Sequence, residues 1–304
     1  MMSEPAIRAE KLGKNFGSVE ALRGMSFSVP TGCIYGLLGP NGAGKTTTIK
    51  ILMNLLAPGA GRAEVLGRDT KKLGWRDFQK IGYVSENQVM PDDMRVGELL
   101  DYLAPYYPTW DAALGADLLR QLELPRDRRL KNLSRGMKMK ASLLASLAFR
   151  PELIVLDEPF SGLDPVVRED FSRGLLSSIS DSGWTVFLSS HDIEEVERLC
   201  DWVGIMAPGR LLVSEPMEEL LRRFQRIDIA LPAGPAPEID WGTDALRVEK
   251  SGANVSLAHQ RFAGDETLAA LHAKIPPGST LEHEPMTLRD IYLALARKSQ
   301  PVTP

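Results

Sequence analysis

The chain opens with short alternations of apolar and polar residues. Ile7 and Leu12 begin one β segment, Val19–Leu22 forms a second, and Met25–Val29, apolar residues alternating with Ser, forms a third. Pro30-Thr31-Gly32 marks a turn. Cys33–Leu38 is a continuous apolar run of strand length. Beyond a glycine-rich loop, Thr46–Leu56 shows helical spacing (Ile49, Ile51, Leu52, Leu55, Leu56) up to the stop at Pro58-Gly59. Residues 62–85 read as a strand, a short helix and the strand Ile81–Val84. From Asp92 to Arg150 the pattern turns helical, with helices expected over Val96–Leu103, Ala112–Leu122 and Lys138–Phe149. There follow a buried strand at Leu153–Leu156, a helix at Val167–Ile179, a strand at Thr185–Ser189 and a helix at Ile193–Leu199. Val203–Met206 and Leu211–Val213 close the series as a hairpin around Pro208-Gly209. Such alternation predicts an α/β layer with a largely parallel sheet.

After about Glu215 the pattern changes. Pro232, Pro235 and Pro237 interrupt it, and short β segments (Ile227–Leu231, Leu246–Lys250, Val255–His259, Ser279–Glu284) mix with helices near Glu266–Lys274 and Thr287–Ala296. The expected division is therefore a main domain over 1–214 and a small α+β domain over 215–304, ending in a loose tail at Lys298–Pro304. There is no internal repeat and no heptad array.

Composition narrows the class. The 304 residues are 43% apolar and 25% charged, a globular balance that excludes wholesale disorder. The net charge of −4 offers no global basic field for a nucleic-acid backbone. Cys33 and Cys200 have no metal-type spacing and point to a reduced compartment, although two cysteines can pair in principle. Met1–Glu10 lacks the apolar core of a secretory signal, so a cytoplasmic protein is expected. The longest uncharged stretch, the 21 residues Gly24–Gly44, holds six Gly and two Pro and cannot be a lipid-facing helix.

That stretch carries the chemistry. Gly39-Pro40-Asn41-Gly42-Ala43-Gly44-Lys45-Thr46 matches G-x-x-x-x-G-K-[ST], a phosphate loop between a strand and a helix. Glycines let the backbone curl and aim its N–H groups at phosphate oxygens, and the helix N-terminus adds partial positive charge. Lys45 can reach the β and γ phosphates of a nucleotide, the Thr46 hydroxyl can hold Mg2+, and Thr47 can donate to the α phosphate. Downstream, the strand Leu153–Leu156 ends in Asp157 and Glu158. Asp157 is placed to bind Mg2+ and Glu158 to orient or deprotonate an attacking water. Ligands bind at the carboxyl ends of strands in such sheets.

Leu133-Ser134-Arg135-Gly136-Met137, just before a helix, completes a pattern. With Ser161-Gly162-Leu163-Asp164 and with His191 in Leu188-Ser-Ser-His-Asp192, the chain resembles the ATP-binding subunit of an ABC transporter over about Ala6–Ser214. The resemblance implies an α/β fold: a P-loop NTPase core of ABC ATPase type with N-terminal antiparallel β segments, an inserted helical subdomain over about 87–150, and the C-terminal α+β domain as an addition. It implies ATP and Mg2+ as cofactors, Phe16 as the aromatic that stacks on adenine, and Glu158, His191 and Lys45 as the catalytic set. Ser134 and Gly136 would then meet the γ-phosphate held by a second ATP-binding subunit, in a homodimer or heterodimer. Separate transmembrane permease subunits would hold the ATPase to the inner face of the membrane.

Two departures stand out. Arg135 and Met137 replace the family's usual Gly and Gln, and Glu86 stands where a Gln normally approaches the metal. Both resemble a bacterial subgroup associated with export. The alternative function is a non-transport ABC ATPase acting on DNA or ribosomes. The 86 residues from Thr47 to Asn132 contain no coiled coil and the chain holds one cassette, so transport is favoured. Arg126–Lys140 carries seven basic residues and one acid without interleaved aromatics, so a solvated helix edge is expected there and no nucleic-acid partner. Tyr102, Tyr106, Tyr107 and Trp110 read equally as a permease docking surface or as subdomain core.

Overall fold

The computed structural model describes all residues except 1–3, 87, 167, 170–171, 174–175, 177–182, 233–237 and 299–304. The chain divides into two compact units, Met1–Ser214 and Glu215–Pro304.

In the first unit, β1 (Ile7–Phe16) pairs antiparallel with β2 (Val19–Val29) on one side and β4 (Ala60–Val65) on the other, with β5 (Arg68–Asp69) beyond. The two segments expected at Val19–Leu22 and Met25–Val29 are one strand. Leu12 faces Met25 and Gly13 faces Arg23, so Gly24, at φ 73°, is the extra residue of a bulge that interrupts the alternation without ending the pairing.

The second sheet has the order β10 (Arg210–Pro216), β9 (Trp202–Ala207), β3 (Ile34–Leu38), β8 (Thr185–Ser190), β7 (Leu153–Asp157), β6 (Ile81–Val84). It is parallel from β9 to β6. Every residue of β3, β7 and β8 is buried, which is why Ile34–Leu38 and Leu153–Leu156 read as unbroken apolar runs. Phe27, Tyr35 and Phe187 stack with ring centres 5.5–6.0 Å apart and join the two sheets.

Helix α1 (Lys45–Leu52) is shorter than the apolar spacing implied. Asn54 adopts a left-handed φ of 53°, and the N–H groups of Leu55 and Leu56 fold back onto the Lys50 carbonyl. Leu55 is consequently exposed. After the one-turn α2 (Trp75–Phe78), α3 (Val96–Leu103) and α4 (Ala112–Gln121) pack on α5 (Arg135–Leu147). Helix α5 begins three residues before the expected Lys138, because Ser134 Oγ accepts the Met137 N–H at 3.2 Å and fixes the start. The helix expected at Val167–Ile179 falls in a segment where most residues lie outside the described ones. Helix α6 (Ile193–Leu199) is capped by Asp192, which accepts from the N–H groups of Glu194 and Glu195.

The second unit contains α7 (Met217–Arg223), β11 (Gln225–Ala230), β12 (Ala245–Ser251), β13 (Asn254–His259), α8 (Asp265–His272), β14 (Thr280–Pro285) and α9 (Leu288–Lys298). Its strands form an antiparallel sheet of order β12-β13-β11-β14. Ile227 and Ile229 pack with Val255, Leu257, Trp241 and Leu271 on one face of it. Lys298 ends α9 and so does not start a tail. Cys33 and Cys200 are both buried free thiols.

Candidate nucleotide site

The glycine-rich loop leaves the carboxyl end of β3, where the Gly39 N–H bonds the Ser190 carbonyl at 3.2 Å. Gly44 has φ 106°, and a Cβ there would lie 2.7 Å from the Ala21 carbonyl oxygen and from Leu22 Cδ2, so no other residue fits. Helix α1 starts without a side-chain cap, leaving its first N–H donors facing the loop. Pro40, Asn41, Gly42 and Thr46 are exposed and Thr47 is half-buried, while Gly39 and Ala43 are buried. Lys45 is only 5% exposed. Its Nζ donates to the Gly39 carbonyl at 2.7 Å and the Pro40 carbonyl at 3.2 Å, and lies 3.0 Å from Glu158 Oε1.

Two acids close the site from β7. Asp157 is buried, and its Oδ1 accepts from Thr46 Oγ1 at 3.1 Å and Ser189 Oγ at 2.8 Å. Burial raises its pKa above the ordinary carboxylate value. The two hydroxyls oppose that shift, and the negative charges of Glu158 and Glu86 add to it. Glu158 sits at a left-handed φ of 50°, a strain of order 1 kcal/mol for a non-glycine residue. Its N–H donates to Ser189 Oγ at 3.0 Å, and its Oε2 is 2.7 Å from His191 Nδ1. Lys45, Glu158 and His191 thus form one chain of charged and polar groups, with Thr46 and Asp157 beside it. Such a chain can meet a phosphate through the lysine and hold or pass a proton between carboxylate and imidazole.

Several supporting residues escaped the sequence reading. Ser189, facing Asp157 across the β7–β8 register, serves both acids at once. Its signal was a pair of hydroxyls ending an apolar strand, since a buried hydroxyl needs a partner. Arg168 Nη1 bridges Asp192 Oδ2 at 2.9 Å and Glu195 Oε1 at 3.0 Å, and Ser190 Oγ donates to Glu195 Oε2 at 3.0 Å. These bonds fix Ser190 and Asp192, the residues on either side of His191 in sequence. Burial pushes the Glu195 carboxyl up to about 7.

Other expected site residues engage elsewhere. Phe16 is half-exposed, with Lys14 Nζ 5.5 Å from its ring centre. Ser134 is exposed at the start of α5, whereas Gly136 is buried in its first turn. Glu86 Oε1 accepts from Arg135 Nη2 at 3.2 Å and Ser161 Oγ at 2.9 Å. The four aromatics divide. Tyr102 and Tyr106 are exposed and in contact with each other, while Tyr107 stacks on Phe149 at 4.0 Å and contacts Trp110. The basic run is met by acids: Arg126 pairs with Asp101, Lys131 with Asp93, Lys138 with Asp92 and Arg135 with Glu86. No group of three or more His, Cys, Asp or Glu side chains suited to a metal occurs among the described residues. Among them, no helix is long and apolar enough to cross a membrane.

Comparison with known proteins places this geometry. The ABC transporter family profile matches residues 22–161. The chain is 34% identical to the Nod factor export ATP-binding protein I of Burkholderia orbicola (strain AU 1054), over 97% of this chain and 98% of that one. It is 30% identical to the ABC transporter ATP-binding protein YtrB of Bacillus subtilis (strain 168), over 74% of this chain and 76% of that one. Among solved structures, an ATP binding subunit of an ABC transporter superposes with a TM-score of 0.64 at 26% identity, over 71% of this chain and 92% of that one. The α/β layers are therefore those of the ABC ATPase fold, and the chain belongs to the family of ABC transporter ATP-binding proteins.

Proposed function

We propose that this chain binds and hydrolyses ATP as one of two ATP-binding subunits of an exporter, driving separate permease subunits from the inner face of the membrane. The observation that carries the reading is the Lys45–Glu158–His191 chain beside Thr46 and Asp157, at the carboxyl ends of β3, β7 and β8. The direction, export, is supported by similarity along nearly the whole chain to proteins named for Nod factor export.

In this reading the backbone of Gly39–Gly44, the N-terminus of α1 and Lys45 hold the phosphates. Lys45 exchanges Glu158 for phosphate oxygens. Phe16 offers its exposed face to adenine and Thr47 donates to the α phosphate. Glu158 takes a proton from the water that attacks the γ-phosphate, and His191 holds the carboxylate and that water in line, giving ADP and phosphate. The donor set fits Mg2+: Thr46 and Asp157 present hard oxygens 3.1 Å apart, and a cation would offset the burial that disfavours the Asp157 charge. When bound, Mg2+ would neutralise charge on the β and γ phosphates. Glu86 Oε1 is held by Arg135 and Ser161, so Glu86 would join it through its other oxygen, Oε2. Ser134, with Gly136 behind it, faces the nucleotide of the second subunit, so two chains enclose two ATP molecules.

The partners are tested by purifying the chain from detergent-solubilised membranes. Co-purification with membrane-spanning subunits and ATP turnover in that complex support the proposal. Tight binding to DNA or ribosomes in near-physiological salt, without such a partner, overturns it.

A further inference from the structure

Glu86 and Arg135, which read in the sequence as two separate departures, meet in the structure. The Arg135 guanidinium reaches Glu86 Oε1 at 3.2 Å, and Ser161 Oγ donates to the same oxygen at 2.9 Å. The guanidinium also lies over Gly162, where a Cβ would come within 2.8 Å of Nη1. One carboxylate oxygen thus joins three segments distant in sequence: the loop after β6, the start of α5, and the loop after β7 that follows Asp157 and Glu158. Arg135 is about half-exposed and Glu86 about one-third, so an isolated pair of this kind would contribute little. Here the shared acceptor and the close packing on a glycine of φ 68° make the contact geometrically specific.

We infer that Glu86 and Arg135 are a single positioning pair, which fixes the exposed start of α5, and Ser134 with it, against the loop that follows the two site acids. The inference rests on the proposed ATPase reading for its consequence in turnover, but not for the contact itself. Either charge without the other leaves an unmatched group: without Arg135 the Glu86 carboxylate adds uncompensated negative charge near Asp157, and without Glu86 the guanidinium loses its anchor. Neutralising both removes the mismatch.

The test is a double-mutant cycle with Glu86→Gln, Arg135→Gly and the two combined, with Arg135→Lys as the conservative variant. Each single change is expected to lower kcat severalfold, with KM for ATP within about twofold. The double variant should exceed the product of the single effects by about fivefold, the coupling expected of charged groups in contact. R135K should retain part of the activity, because an ammonium keeps the charge without the planar fork. Hydrogen exchange on the nucleotide-free chain supplies a readout that needs no ATPase. Either single variant should speed exchange in both 134–138 and 159–164. Multiplicative kinetic effects, or exchange that rises in only one of the two segments, would overturn the pair. Coupled exchange in a chain that shows no ATP turnover would support the pair and count against the ATPase reading instead.

Discussion

Replacing Ser189 by alanine removes one oxygen and two hydrogen bonds from the floor of the site. Ser189 is fully buried; its Oγ donates to Asp157 Oδ1 at 2.8 Å and accepts the Glu158 N–H at 3.0 Å. Losing the charge-assisted bond costs about 1.5–3 kcal/mol, and a buried N–H left without an acceptor costs about 1–3 kcal/mol. The two losses share local relaxation, so a total of about 3 kcal/mol is expected. For a unit of this size that lowers the midpoint of heat unfolding by roughly 6–12 °C. The substitution also takes away one of the two hydroxyls that favour ionised Asp157. Its pKa, already raised by burial, should rise further. A carboxyl with a raised folded pKa keeps its proton to higher pH in the folded chain than in the unfolded one. Its contribution to stability therefore falls as pH rises from the ordinary carboxylate value, and S189A should steepen that fall. The assay is heat unfolding of the nucleotide-free chain at pH 5 and pH 7, with ATP turnover measured in parallel. Ser189→Cys, similar in size but a weak donor, should fall between. A midpoint lowered by less than about 2 °C would refute the claim that this hydroxyl anchors both acids.

Further outcomes follow from the same geometry. Gly44→Ala places a Cβ 2.7 Å from a backbone oxygen and should abolish binding of a fluorescent ATP analogue. Gly42→Ala meets no atom within 4 Å and should cost only the ~1 kcal/mol of a left-handed residue. With the Glu195 carboxyl at about 7 against an ordinary 4.5, the folded chain binds this proton more tightly between those values, so stability falls as pH rises through that window. Glu195→Gln should remove the fall, gaining up to about 3 kcal/mol relative to the parent between pH 5 and pH 8 in urea titrations. Ser134→Ala should lose about 1 kcal/mol of helix capping and most ATP turnover, while a single chain still binds nucleotide. In mixed dimers with Lys45→Ala, one competent site should survive only if Ser134 acts across the interface.

Local signals were the most legible. The strand–loop–helix around Gly39–Thr46 is written in adjacent residues, and α3 runs over Val96–Leu103 as its spacing implied. Periodicity misleads where a backbone turn outranks side-chain spacing. Asn54 stops α1 while Leu55 and Leu56 still fit its stripe, and the Gly24 bulge hides the continuity of β2. Helix α7 has no place among the expected elements, although its signs are present: Pro216 before it, Glu218 and Glu219 in its first turn, Arg222 and Arg223 in its last. Contacts set by strand register or by long sequence separation were not legible. Ser189 becomes the partner of Asp157 only when β8 aligns with β7, and Glu86 meets Arg135 across 49 positions. Nor does one sequence separate Tyr106, which faces solvent, from Tyr107, which stacks on Phe149, because the difference is the direction of one turn.

In the proposed cycle Glu158 draws the proton from water at an ATP held between two chains. Glu158→Gln tests it most directly, because the amide keeps size and shape while losing the base. ATP hydrolysis and molecular mass in solution would be followed together for the variant with ATP. Normal ATP binding is expected, with a loss of turnover of at least about a hundredfold and a persistent dimer that dissociates when ATP is removed. Turnover close to that of the parent chain, or ATP binding with no dimer, would contradict it.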